Sequence, residues 1–93
     1  MMKLSGKLAI VTGAAQGIGK GVALEYAKNG ADLAILDINA EKLSQTAQEI
    51  EALGRKCYQS IGDVSSEEVV KTFVQNVTAA FGKIDVLTHC AGI

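Results

Sequence analysis

Four short apolar runs alternate with longer stretches in which apolar residues recur every three or four positions. The runs cover Leu8–Thr12, Asp32–Leu36, Cys57–Ile61 and Asp85–Cys90. Short apolar runs between turn residues are typical of buried strands, and a period of 3.6 residues is typical of amphipathic helices. The pattern therefore predicts an α/β fold in which crossover helices connect parallel strands.

The three periodic stretches carry helix signals at their ends. They run from about Gly17 to Asn29, from after Asn39 to Gly54, and from the Ser65-Ser66-Glu67-Glu68 segment to Gly82. Gly30, Gly54 and Gly82 stand where a left-handed residue closes a helix, a conformation that glycine adopts without a Cβ clash. Ser65 and Glu68 have the spacing of a capping box.

The period also predicts which side chains of each helix are buried. The expected stripes are Ile18, Val22 and Tyr26 with Ala23 and Ala27; Leu43, Ala47 and Ile50; and Val69, Phe73, Val77 and Phe81 with Val70, Val74 and Ala80. These stripes would cover the two faces of one sheet, with the first two helices on one face and the third on the other.

Right-handed crossovers in the doubly wound arrangement predict the strand order 3-2-1-4, a partial Rossmann-like sheet. Strand four would then be an edge, so Val86, Leu87 and Thr88 would lack a neighbour on one side. Because unpaired apolar edges associate with other chains, self-association through this edge is one expectation.

The segment after the first strand has the composition of a phosphate-binding loop. Its sequence is Thr-Gly-Ala-Ala-Gln-Gly-Ile-Gly, with glycines at positions 13, 17 and 19. Glycine allows the tight turn and the close approach of a pyrophosphate, and the N–H groups of the following helix point at the phosphates. Glycines alone also occur in ordinary turns, but here a strand precedes them and a helix follows.

Asp37 directly follows the second apolar run, eighteen residues after Gly19. A carboxylate there accepts hydrogen bonds from the adenosine ribose and repels a 2′-phosphate. Position 38 is Ile and position 16 is Gln, so no cation stands at either position. Together these residues favour NAD over NADP, while the alternative interpretation makes Asp37 a loop acid that caps the next turn.

With the loop and Asp37 in place, the chain resembles the classical short-chain dehydrogenases/reductases. Three further segments resemble motifs of that family: Asp63-Val64, Gly82–Leu87 and Ala91-Gly92-Ile93. The resemblance covers the whole chain and implies a nicotinamide dinucleotide cofactor. It assigns Gly13, Gln16, Gly17, Ile18 and Gly19 to the pyrophosphate, Asp37 to the adenosine ribose, Asp63 and Val64 to the adenine, and Cys90, Ala91 and Gly92 to the nicotinamide-side ribose.

The chain departs from the family pattern just before Ala91. The two asparagines expected there are His89 and Cys90. Neutral histidine offers one donor and one acceptor, so it can replace part of an amide's bonding. The departure is either a tolerated change or an altered nicotinamide pocket; a catalytic His89 is disfavoured because no partner residue is identifiable, and a metal site would need more ligands.

Composition excludes several other classes of function. The chain has 93 residues, 48% of them apolar, and a net charge of −1, which predicts one globular domain over 1–93 without a nucleic-acid or membrane surface. The first apolar run is too short for a signal peptide, and the two cysteines form no metal motif or disulfide framework. The expected location is therefore cytoplasmic.

The resemblance implies hydride exchange between the nicotinamide and an alcohol or carbonyl, and it places the catalytic Ser, Tyr and Lys beyond residue 93. Tyr26 and Tyr58 are followed four residues later by glycine rather than lysine. We therefore assign no catalytic residue and interpret the chain as the N-terminal cofactor-binding part of a dehydrogenase. Alternatives are a non-catalytic dinucleotide-binding or sensing module and one half of a split dehydrogenase, whereas Asp63-Val64 and Ala91-Gly92 argue against a methyltransferase.

We expect the 93 residues alone to catalyse no hydride transfer, because neither tyrosine has a lysine partner. The measurement is NADH formation with NAD and a panel of alcohols. Turnover above the rate without protein would contradict this expectation.

Overall fold

A computed structural model describes residues 3–90, which form a parallel sheet and its crossover helices. In chain order the elements are β1 (Leu8–Thr12), α1 (Gly17–Lys28), β2 (Asp32–Asp37), α2 (Ala40–Ala52), β3 (Cys57–Ile61), α3 (Glu67–Phe81) and β4 (Val86–His89). The strands stand in the order β3-β2-β1-β4 and every pair is parallel. The predicted fold class, strand order and three crossover helices are confirmed, and the strand ends differ from the prediction by one residue at β2 and β4.

The central strand β1 is buried over its whole length because helices cover both faces of the sheet. Ala9 and Val11 belong to the apolar cluster beneath α1 and α2. Leu8 and Ile10 point the other way, into the cluster with Phe73 and Val77 of α3. The expected division of the helices between the two faces is therefore confirmed.

The helix ends follow the sequence signals with one correction. Gly30, Gly54 and Gly82 have φ values of 98°, 83° and 78°, the left-handed conformation expected after each helix. The cap of α3 is Ser66, whose Oγ accepts from the Val69 N–H at 3.3 Å, so the predicted capping box on Ser65 is wrong. Ser65 Oγ instead donates to Asp63 Oδ1 at 2.6 Å, because it lies in the turn before the helix.

The predicted stripe of α1 is confirmed in part. Ala23 and Ala27 are buried as predicted, and Val22 and Tyr26 are half-buried against the core. Ile18, which was expected to be buried, is 61% exposed, and Gly19 is buried beside it. Small residues on this side let the helix lie close to the strands, which pushes the larger side chains outward. The stripe of α2 is confirmed, and on α3 Phe73 and Val77 are buried, whereas Ala80 is exposed.

Two hydrogen bonds fasten β4 to the rest of the molecule at its start and middle. Asp85 Oδ2 accepts from the Leu8 N–H at 2.8 Å and lies 3.2 Å from Lys83 Nζ. The Tyr26 hydroxyl of α1 lies 2.8 Å from Thr88 Oγ1. The outer side of β4 pairs with no strand among residues 3–90, and self-association through it stays a prediction.

We expect Asp85→Asn to lower the melting temperature at neutral pH. The Leu8 N–H, and then Lys83, hold the pKa of the Asp85 carboxyl below its usual range. A lowered pKa in the folded state stabilises the fold above the usual pKa of aspartate, and this stabilisation is lost as pH falls through the folded value. Thermal melts at pH 7 and at about pH 2–3 should therefore show a difference from the unmodified chain that disappears in acid.

Glu51→Gln serves as the control. Glu51 is exposed at the end of α2, so its substitution should not lower the melting temperature. An equal loss for Asp85→Asn at both pH values would contradict the role given to the charged carboxylate.

Candidate functional site

The candidate site lies at the edge of the sheet where all four strands end. Thr12 of β1 is in register with Leu36 of β2 and with His89 of β4, so the loops after these strands leave the sheet side by side. Parallel α/β sheets bind ligands at this edge. The loop between β1 and α1 starts here, at Gly13, and extends to Gln16. It is called the phosphate loop below, after the role predicted for it from the sequence.

The loop is fastened to the end of β2 through its inner N–H groups. The Gly13 N–H donates to the Leu36 carbonyl at 2.8 Å, and the Ala15 N–H donates to Asp37 Oδ2 at 3.0 Å. Gly13 has a φ of 73°, which explains why this turn needs glycine. The second strand therefore determines the shape of the loop that follows the first.

The N-terminus of α1 differs from those of the other two helices in having no side-chain cap. Gln16 occupies the cap position and its side chain makes no hydrogen bond to the helix, whereas the side chains of Asn39 and Ser66 cap α2 and α3. The first turn of α1 also carries no acidic residue. Its N–H groups and its positive dipole end are therefore free for an anion.

Two glycines keep this helix start open and close to the loop. Gly17 has a φ of 61°, and a Cβ built on it would meet nothing within 4 Å. A Cβ on Gly19 would lie 1.9 Å from the Gly13 carbonyl oxygen, a distance no side chain tolerates. Gly19 therefore allows the contact between helix and loop.

Asp37 makes contacts that fit both interpretations of its role. Its Oδ1 accepts from the N–H groups of Ile38 and Asn39 at 2.7 and 3.3 Å, as a loop acid in a turn would. Its Oδ2 accepts from the Ala15 N–H of the phosphate loop. Because α2 is capped by Asn39 itself, Asp37 is not the helix cap, and its Oδ2 keeps a lone pair for a further donor.

A cation that the sequence analysis did not consider also lies at the loop. Lys42, in the first turn of α2, places Nζ 2.5 Å from Gln16 Oε1. The residues at positions 16 and 38 do not reveal this cation, because the contact joins residues 26 apart in the chain. The signal available in the sequence was the position of Lys42 in the first turn of the helix that follows Asp37.

The predicted adenine pair follows β3. Asp63 Oδ1 accepts from the Ser65 N–H at 2.9 Å and from the Ser65 hydroxyl at 2.6 Å. These bonds, the hydroxyl first, hold the pKa of the Asp63 carboxyl below its usual range, so it is ionised at neutral pH. Val64 is half-buried and, with His89 and four residues of α3 and its cap region, lines a cavity of about 350 Å³.

His89 pairs with the residue that precedes the phosphate loop. Its Nδ1 lies 2.6 Å from Thr12 Oγ1, and Thr12 is fully buried. Cys90 continues the strand contact through its N–H, which donates to the Thr12 carbonyl at 3.1 Å, and its side chain is buried on the α1–α2 side. Ala91 and Gly92, the remaining predicted site residues, lie outside the described residues.

Three other kinds of feature were sought in the part of the chain that the structure describes: a reactive cysteine, a metal-ligand cluster and a membrane-spanning helix. Burial, and then the nearby Glu51, raises the pKa of the Cys57 thiol to about 12, so this thiol is not a nucleophile at neutral pH. Among residues 3–90 no three acidic, histidine or cysteine side chains gather as metal ligands do. No helix within the same range has the length and apolar character needed to cross a membrane.

Comparisons with known proteins agree on one family. The family model for short chain dehydrogenase matches residues 7–93. A subunit of (2S)-[(R)-hydroxy(phenyl)methyl]succinyl-CoA dehydrogenase from Thauera aromatica is 37% identical over 92 residues, which are 99% of this chain and 37% of that protein. The chain thus spans little more than a third of the length of this relative.

Solved structures of longer chains share the architecture over the length of this one. Carveol dehydrogenase from Mycobacterium avium in complex with NAD superposes with a TM-score of 0.93 at 28% identity, covering 100% of this chain and 38% of that one. L-Sorbose reductase from Gluconobacter frateurii, complexed with NADPH and L-sorbose, gives a TM-score of 0.91 at 33% identity, covering 99% and 35%. Both likenesses extend over the loop, the strand ends and the three helices described above.

We expect opposite effects from alanine at two neighbouring glycines of α1. Gly19→Ala should destabilise the chain by roughly 1–3 kcal/mol, because the new Cβ collides with the Gly13 carbonyl and α1 must move. Gly21→Ala should stabilise it by about 0.5–1 kcal/mol, since Gly21 has open space and alanine is the better helix former. Urea unfolding measures both, and a similar effect of the two substitutions would contradict the close contact.

Proposed function

The chain belongs to the short-chain dehydrogenase family, and on that premise we propose that it forms the cofactor-binding part of an oxidoreductase. The reaction would exchange hydride between a nicotinamide dinucleotide and an alcohol or carbonyl substrate. The catalytic residues are expected outside positions 1–93, and within the chain we assign none. The proposed role of these residues is therefore to hold the cofactor.

The observation that carries this proposal is the start of α1. Its N-terminal N–H groups have no side-chain cap, and Gly17 leaves open space in front of them. A pyrophosphate would supply the missing acceptors and would meet the positive end of the helix dipole. In this proposal Gly13, Gln16, Gly17, Ile18 and Gly19 surround the pyrophosphate.

The ribose end would be recognised by Asp37. Its carboxylate is fixed by the Ala15 N–H and by its own turn, so the remaining lone pair of Oδ2 can accept from a ribose hydroxyl. A 2′-phosphate would be repelled by the same charge, which favours NAD. Lys42, held by Gln16 at the loop, offsets part of that repulsion, so we expect a preference for NAD rather than exclusion of NADP.

The remaining assignments rest on the family resemblance. We propose that Asp63 and Val64 flank the adenine and that Cys90, Ala91 and Gly92 border the nicotinamide-side ribose. The ionised Asp63 carboxylate supports the first of these, because it can accept from the adenine amino group. The free thiols of Cys57 and Cys90 support a reducing, cytoplasmic location, which also remains a proposal.

We expect Asp37→Asn to weaken NAD binding about tenfold, the effect of losing a charged acceptor, and to leave NADP binding equal or tighter. Asn keeps the size of the side chain and removes the charge that repels a 2′-phosphate. Isothermal titration with NAD and with NADP measures both affinities.

Asp32→Asn is the matched control. Asp32 lies at the opposite end of β2, where its Oδ1 accepts from the Lys56 N–H, far along the strand from the loop. It should change neither affinity. Tighter binding of NADP than NAD by the unmodified chain would contradict the preference assigned to Asp37.

A further inference from the structure

A buried polar side chain of α2 reaches the phosphate loop from behind. Thr46 is fully buried on the helix face that also carries Leu43 and Ala47. Its Oγ1 lies 3.0 Å from the Ala14 carbonyl oxygen, 3.3 Å from that of Lys42 and 3.5 Å from that of Ala15. Because a hydroxyl has one proton, the shortest of these contacts identifies the Ala14 carbonyl as the principal acceptor.

The Ala14 carbonyl and the Ala15 N–H belong to the same planar peptide group. The Thr46 hydroxyl donates to the oxygen of this peptide, and the N–H of the same peptide donates to Asp37 Oδ2 at 3.0 Å. Ala14 and Ala15 are 0% and 3% exposed, so water has little access to this peptide. The peptide is therefore held at both ends of its dipole by two side chains from different elements.

Hydrogen bonds in such a chain polarise one another, so a donor on the carbonyl strengthens the N–H as a donor to the carboxylate. We infer that Thr46 is a positioning residue of the dinucleotide site, which orients the Ala14–Ala15 peptide and, through it, the Asp37 carboxylate that would face the ribose. This inference rests on the proposed function, since it concerns how tightly and how selectively the adenosine end is bound.

A threonine in a helix can also satisfy its hydroxyl on its own helix, and α3 provides such a case. Thr78 Oγ1 donates to the Val74 carbonyl at 2.9 Å, and Thr78 is exposed. Thr46 differs because its shortest contact leaves the helix and ends on the loop. Thr78 is therefore a matched control for the loss of a helical threonine hydroxyl.

The test compares Thr46→Val, which keeps the shape and removes the hydroxyl, with Thr46→Ser, which keeps the hydroxyl, and with Thr78→Val. The probes are 5′-ADP and its 2′-phosphorylated form, adenosine 2′-phosphate 5′-diphosphate, which differ only in the 2′-phosphate. Both are titrated well below the melting temperature of each variant. We expect Thr46→Val to weaken the binding of 5′-ADP about tenfold and that of its 2′-phosphorylated form less, while Thr46→Ser and Thr78→Val stay within about twofold of the unmodified chain. Circular dichroism establishes that each variant is folded.

A second comparison separates positioning from a general effect on stability. In an Asp37→Ala background, Thr46→Val should change 5′-ADP affinity less than about twofold, since the carboxylate it orients is gone. Equal affinity of Thr46→Val and the unmodified chain, an equal loss for both probes, or the same loss with and without Asp37 would each overturn the inference. If the unmodified chain binds neither nucleotide, the proposed function fails and the inference fails with it; if it binds 5′-ADP, only the role of Thr46 is in question.

Discussion

The rest of the structure depends on the contact between Gly19 of α1 and the carbonyl of Gly13. A Cβ on Gly19 would lie 1.9 Å from that oxygen, so only glycine at this position lets the helix lie against the turn that leaves β1. The small residues Ala23 and Ala27 continue the contact along the helix. This close approach brings the uncapped start of the helix to the edge of the sheet, beside the end of β2, and so creates the site.

The sequence was sufficient for the features that depend on local pattern. The strands, the crossover helices and the loop each follow from the alternation of apolar runs, helical period and glycine, and the strand order follows from the handedness of crossovers. The local pattern failed for features that depend on which neighbour a side chain contacts. Ile18 has the right period for burial, but the small residue beside it faces the strands, and Ser65 has the right spacing for a cap, but Asp63 engages it.

Two contacts of the candidate site join residues far apart in the chain, and no local pattern predicts them. Lys42 meets Gln16, and the Thr46 hydroxyl meets the Ala14 carbonyl, both because α2 packs beside the phosphate loop. The bonds of Asp37 itself bear on its two interpretations, a turn acid and a ribose acceptor. The two are compatible, because Oδ1 accepts within the turn while Oδ2 accepts from the loop and keeps a lone pair for the ribose hydroxyl that the proposed function assigns to it.

The departure at His89 can be judged by the bond it makes. Nδ1 of His89 lies 2.6 Å from the Thr12 hydroxyl, so the imidazole ties β4 to β1 just before the phosphate loop begins. If the hydroxyl donates, the ring proton resides on Nε2, and the exposed side of His89 presents an N–H donor, as the NH₂ group of an amide would. In that tautomer the imidazole offers one acceptor toward the sheet and one donor away from it. Cys90 differs from His89, because its side chain is buried on the α1–α2 side of the sheet and its thiol is only a weak donor and a weak acceptor.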